Sequence, residues 1–144
     1  MHYGNGTSYC KDITEEQKRW PCSDQNTTEF MKYLLEREKP DLVVFTGDNI
    51  YGMSCPDPSA SMMLFREPLE KANVPWTIVF GNHDDEGMLS RQALMAVDVE
   101  AKLSLSMAGT SLQTFQITCL KLLISICQLL LGHSSVADVS YVYQ

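Results

Sequence analysis

Apolar residues recur along this chain in two distinct rhythms. Between Thr28 and Glu38, Phe30, Met31, Leu34 and Leu35 return at helical spacing among Glu29, Lys32, Glu36, Arg37 and Glu38. That pattern predicts a helix with Asn26 to Thr28 as its cap. Pro40 ends it, because a residue before proline is pushed out of the α region. Leu42 to Thr46 is then a short apolar run without alternation, the signature of a strand covered on both faces. Residues 47 to 59 read as a loop in which Pro56 and Pro58 fix the backbone. Ala60 to Ala72 predicts a second helix carrying Met62, Met63, Phe65, Leu69 and Ala72, and Pro68 is expected to break or kink it. Val74 to Phe80 predicts a second buried strand, and Glu86 to Val97 a third helix with Met88, Leu89, Leu94 and Met95 as its apolar residues.

Strand, helix, strand, helix implies right-handed crossovers and a parallel sheet, the α/β class. The character changes at Asp98. Residues 99 to 111 are small and polar without a period, and Leu112 to Leu131 is strongly apolar and long enough for a membrane span. Gln113, Gln116, Lys121, Ser125 and Gln128 interrupt that segment, and a central Lys costs about 2.5 kcal/mol on insertion. It therefore reads as a buried or amphipathic helix over 112–131, with no membrane partner expected. Two domains follow: residues 1–97, and a divergent tail over 98–144.

Composition narrows the possibilities. A net charge of -7 on 144 residues argues against nucleic acid as a partner, since that affinity rests on Lys and Arg neutralising phosphates. Acidity instead suits hard cations. Cys10 and Cys22 flank a polar loop and form a disulfide if the chain is secreted. Sequons at Asn5 and Asn26 lean the same way. No basic or apolar leader follows Met1, which keeps a cytoplasmic location as the alternative.

The candidate chemistry lies at the two strand ends. Gly47-Asp48-Asn49 closes the first and Gly81-Asn82-His83-Asp84-Asp85 the second. In open α/β sheets a site forms beyond the carboxyl ends of the strands. Asp48 can bridge two cations. Asn82 offers a neutral carbonyl oxygen to a metal, and His83 a proton donor or charge stabiliser. Asp84 or Asp85 can bond the other ring nitrogen of His83 and fix its tautomer. The plainer alternative is a pair of turns, with Asn82 and Asp84 capping a helix.

Lys39 to Asp48 and Val74 to Asp85, read as whole segments, resemble the calcineurin-like metallophosphoesterase family, and within it the purple acid phosphatase-like branch of plants. The resemblance covers residues 1–97. It implies an α/β/β/α sandwich of which this chain holds part: parallel central strands with flanking helices, the first strand and second sheet largely missing. By the same resemblance His2 matches the histidine of Asp-x-His and ligates the first metal, Asp48 bridges, Asn82 ligates the second metal and His83 is catalytic. Tyr51 fits the Gly-Asp-x-x-Tyr form, a weaker match because that tyrosine accompanies Asp-x-Gly. The aspartate of Asp-x-His would precede Met1, and Gly132-His133-Ser134-Ser135 lacks the second histidine of Gly-His-x-His.

The family implies a metal-dependent phosphoric ester hydrolase, acid phosphatase-like. Two metal ions (Fe, Mn or Zn) would clamp a phosphomonoester or phosphoprotein substrate. With ligands missing for both metals, an inactive or impaired chain is expected. The alternatives are a non-catalytic remnant, or an interaction module using the apolar tail helix. Oligomeric state is left open.

Overall fold

The computed structural model describes residues 1–10, 13–19 and 21–107. These lie within one compact unit, Met1–Ala108. The predicted helix over 112–131 and the Gly132-His133-Ser134-Ser135 segment lie outside the described residues. Two strands, β1 (Val43–Phe45) and β2 (Trp76–Ile78), pair in parallel with Val43 opposite Trp76 and Phe45 opposite Ile78. Helices α1 (Gln25–Glu38), α2 (Pro58–Ala72) and α3 (Arg91–Val99) flank them. The α/β class and the parallel strands are as expected.

Both strands are shorter than their apolar runs, and the sheet is extended by isolated bridges. Tyr3 pairs in parallel with Ile50: Tyr3 N–H donates to the Asn49 carbonyl at 3.1 Å, and Tyr51 N–H to that of Tyr3 at 2.8 Å. Residues 1–3 thus lie against the segment that follows β1. On the far side of β2, Trp76 pairs in parallel with Ser104, and Leu105 N–H donates to the Trp76 carbonyl at 2.7 Å. Ser106 Oγ accepts from Ile78 N–H. Leu103, Leu105 and Met107 alternate with Ser104 and Ser106, the period-two pattern of a strand, so this part of the stretch expected to be aperiodic pairs as a sheet edge.

The helices differ from expectation at their ends, each for a local reason. α1 begins at Gln25 rather than Thr28. Its N-cap, Asp24, spends its Oδ2 on the N–H groups of Gly4 and Gly6 instead of on the helix. α2 starts two residues early because Pro58 occupies the first turn and Asp57 accepts from Ala60 N–H. The favoured place for proline in a helix is that first turn. The expected break at Pro68 is absent: α2 continues to Ala72, with Pro68 itself buried beside Phe65 and Leu69. α3 starts at Arg91 rather than Glu86, capped by Ser90 Oγ on Ala93 N–H.

The core sits where α2 and α3 cover the sheet. Phe65, Met62, Leu69, Trp76 and Leu94 are fully buried, and the Phe45 and Phe65 rings meet edge-on at 5.0 Å. One polar cluster is embedded there. Asp98 is inaccessible, and its Oδ1 accepts from Trp76 Nε1 at 3.0 Å and Arg66 at 3.2 Å, while Oδ2 accepts from Ser104 at 2.7 Å. Asp98 thereby fastens α2, β2 and residue 104 together, so the change in sequence character at this position falls inside the packed unit. Removing one partner of a buried ion pair strands the other charge. We expect Asp98→Ala to lose about 3–5 kcal/mol in urea unfolding, whereas an exposed-pair variant such as Glu29→Ala stays within about 1 kcal/mol.

Candidate metal centre

The parallel pairing of β1 and β2 carries both strand ends to one edge of the sheet. There the backbones come so close that glycine is required. Gly47 has φ +115° and faces the backbone of Gly81. A side chain on Gly81 would have its Cβ 2.6 Å from the Asp48 nitrogen, closer than real contacts allow. Asp48 (φ 47°) and His2 (φ 52°) both adopt left-handed backbone, a strained conformation that clusters at functional sites.

Asp84 locks this arrangement. It is fully buried; Oδ1 accepts from Asn49 N–H at 2.8 Å and Ile50 N–H at 3.0 Å, and Oδ2 accepts from Gly81 N–H at 2.7 Å. Burial pushes its pKa up, against the downward pull of those three donors. Asn49 adds a second tie, its Nδ2 donating to the Val79 carbonyl at 2.8 Å. Asn49 carried no role in the sequence beyond a turn, yet it is buried and links the two strands.

On this frame His2, Asp48 and His83 converge, their potential ligand atoms all within 4.8 Å of one another. His2 Nε2 lies 3.4 Å from Asp48 Oδ2, and Asp48 Oδ1 accepts from His83 N–H at 3.0 Å. The two imidazoles stand 5.0 Å apart, and the Tyr51 ring is 5.5 Å from that of His83 and 6.2 Å from that of His2. Asn82 is exposed in the same turn, between Gly81 and His83. His2, Asp48, Tyr51 and His83 are therefore brought to one place, with Asn82 in the adjoining turn. Two imidazoles and a carboxylate form a mixed nitrogen and oxygen donor set that suits Zn, Mn or Fe, so these residues fit a metal ion.

One expectation is corrected. Neither Asp84 nor Asp85 bonds the ring of His83. Asp84 is committed to backbone N–H groups, and Asp85 pairs with Arg91 at 3.1 Å. The partner is Glu86, whose Oε2 lies 2.8 Å from His83 Nδ1. The apolar spacing predicts a helix through residues 86–90, whereas they form a loop that turns Glu86 back.

The two histidines are shifted in opposite directions. Burial, the nearby amino terminus and His83 lower the pKa of His2 against the pull of Asp48. The hydrogen bond to Glu86 raises that of His83. A raised value favours the imidazolium when folded. The stabilisation from this pair is therefore complete below the ordinary pKa of about 6.5 and fades as pH rises through the folded value. In an NMR titration His83 should show a midpoint above 6.5 and His2 one below it.

Comparison with known proteins places this geometry in context. A family profile described as calcineurin-like phosphoesterase matches residues 2–137. The chain is 43% identical over 96 residues to "Probable inactive purple acid phosphatase 28" of Arabidopsis thaliana, which is 66% of this chain and 24% of that protein. It is 39% identical over 108 residues to "Probable inactive purple acid phosphatase 14" of the same plant, 74% of this chain and 27% of that protein. "Phosphatase DCR2" of Saccharomyces cerevisiae matches at 41% over 99 residues, 67% of this chain and 17% of that protein. The chain thus spans about a quarter or less of the length of these relatives. No solved structure matches.

Proposed function

The chain belongs to the calcineurin-like phosphoesterase family, and from that premise we propose that it carries part of the centre of a metal-dependent phosphoric ester hydrolase acting on phosphomonoesters or phosphoproteins. The convergence of His2, Asp48 and His83 at the joined ends of β1 and β2 is the observation that supports this reading. His2 and Asp48 would hold the metal, with Asn82 as a neutral oxygen donor and Tyr51 alongside; Fe, Mn or Zn suits that donor set. When bound, the metal supplies Lewis-acid polarisation of the phosphoryl oxygens and of the attacking water. His83 places an imidazole, protonated more readily than usual, where it can stabilise charge on those oxygens or give a proton to the leaving group. Asp48 also orients the His83 backbone through its Oδ1.

The ligands gathered among the described residues are fewer than two metal ions need. We therefore read the isolated chain as binding a single ion and turning over poorly. The names of two Arabidopsis relatives, "probable inactive", favour the non-catalytic reading as runner-up. Mass-spectrometric metal analysis of the purified chain should find close to one equivalent. Asp48→Asn should weaken Mn²⁺ binding by at least about tenfold, a loss seen even for outer-shell partners, and should abolish any p-nitrophenyl phosphate hydrolysis. Two equivalents with robust turnover would overturn the partial centre; no binding at all would overturn the metal reading.

We also propose that the chain passes through an oxidising secretory compartment. Cys10 and Cys22 are bridged, with their Cα atoms 5.5 Å apart. Asn5 is exposed in its sequon, its Oδ1 accepting from both Thr7 N–H and the Thr7 hydroxyl. Expressed through a secretory route, the chain should lose mass on glycosidase treatment, and Asn5→Gln should remove that loss in part or in full. An unglycosylated product would count against the proposal. Among the described residues no helix is long and apolar enough to cross a membrane.

A further inference from the structure

Glu86 stands outside every motif that identifies the family, yet the loop bearing it is built to fine tolerance. Residues 83–87 lie directly on the turn that begins at Gly52, whose N–H donates to the His83 carbonyl at 3.0 Å. The contact is made by two facing glycines. A Cβ on Gly52 would fall 2.6 Å from the Gly87 nitrogen and 2.9 Å from that of Glu86, and one on Gly87 would fall 2.7 Å from the Gly52 carbonyl oxygen. Any side chain at either position would push the loops apart. The interlock, with Gly52 N–H on the His83 carbonyl, sets the separation of His83 and Glu86 and brings the Glu86 carboxylate to 2.8 Å from His83 Nδ1.

A carboxylate can only accept. Nδ1 must therefore carry the proton, and in the neutral ring Nε2 then holds a lone pair. A free loop histidine has no such constraint, and its two tautomers interchange. We propose that Glu86 is a positioning residue for His83: seated by the Gly52–Gly87 contact, it fixes the Nδ1–H tautomer and presents Nε2 outward, as a lone pair for a metal in the neutral ring or as a donor to a phosphoryl oxygen once that nitrogen is protonated. The Asp48 oxygen on the His83 N–H holds the backbone, and Glu86 holds the ring, so both ends of the residue are restrained. What His83 does with Nε2 rests on the phosphoesterase reading; its orientation does not.

The test uses the full chain labelled with ¹⁵N, in long-range ¹H–¹⁵N spectra of the imidazoles at a pH where they are neutral. The chain has three histidines, and His83→Asn assigns the one in question by loss of its signals. Wild type should show His83 with a protonated Nδ1 and a bare Nε2. Glu86→Gln should preserve that pattern, because the amide oxygen still accepts from Nδ1–H. Glu86→Ala should shift His83 toward the Nε2–H form while leaving His2 unchanged. A wild-type His83 protonated at Nε2 overturns the inference without recourse to any variant, as does a folded Glu86→Ala protein with an unaltered tautomer. Metal titration separates the two ideas: a fixed Nδ1–H ring in a chain that binds no metal sinks the phosphoesterase reading and leaves this one standing.

Discussion

The local architecture of the candidate centre depends on one buried carboxylate. Asp84 lies beyond β2, yet two of its three N–H donors belong to the segment after β1. Two strands of three residues make a small sheet, and nothing in their ladder alone would hold the following loops in register. Asp84 supplies that register by filling its acceptor sites with backbone donors that would otherwise be buried and unsatisfied, a costly state in low dielectric. It is thus a structural member of the motif in which it sits.

A second buried carboxylate does comparable work at the opposite side of the sheet. Asp98 collects Trp76, Arg66 and Ser104, and Arg66 in turn stacks over the Trp76 ring at 5.7 Å. The two acids divide the labour: one joins the loops at the carboxyl ends of the strands, and the other joins the helices to the strand they cover. Between them lies an apolar core in which Phe45, Phe65, Trp76, Leu94 and Met95 interdigitate. A small sheet gains from such ties because each fixes elements distant in sequence and leaves few alternative packings.

How far the sequence revealed this differs by element. The strands and the parallel order were legible because uninterrupted apolar runs ending in glycine leave little else for the chain to do. The convergence of Asp48 and His83 was legible for the same reason, since parallel strands deliver their ends to one edge. Helix boundaries were less so. The start of α2 has a local mark, Asp57 as cap with Pro58 in the first turn, whereas that of α1 has none, because Asp24 turns its carboxylate away from the helix. The partner of His83 was hidden by a loop that mimics helical spacing. Leu103-Ser104-Leu105-Ser106 does alternate with the period of a strand, but the run is too short to stand out from the small, polar residues around it. The family resemblance named His2, which no regular strand carries: its N–H on the Asp48 carbonyl and the bridge at Tyr3 hold it in place.

The bridged loop between Cys10 and Cys22 carries a consequence for variation. Its two ends are joined covalently, by the Cys10 N–H on the Cys22 carbonyl, and by the pairing of Tyr9 with Ser23. Directly after it, Asp24 grips the N–H groups of Gly4 and Gly6 and so anchors the segment that bears His2. Closing a longer loop adds only a slowly growing entropic cost. The stretch between the cysteines is therefore decoupled from the cluster of His2, Asp48 and His83: insertions or exchanged sequences there can be accepted while the closed stem keeps His2 in place.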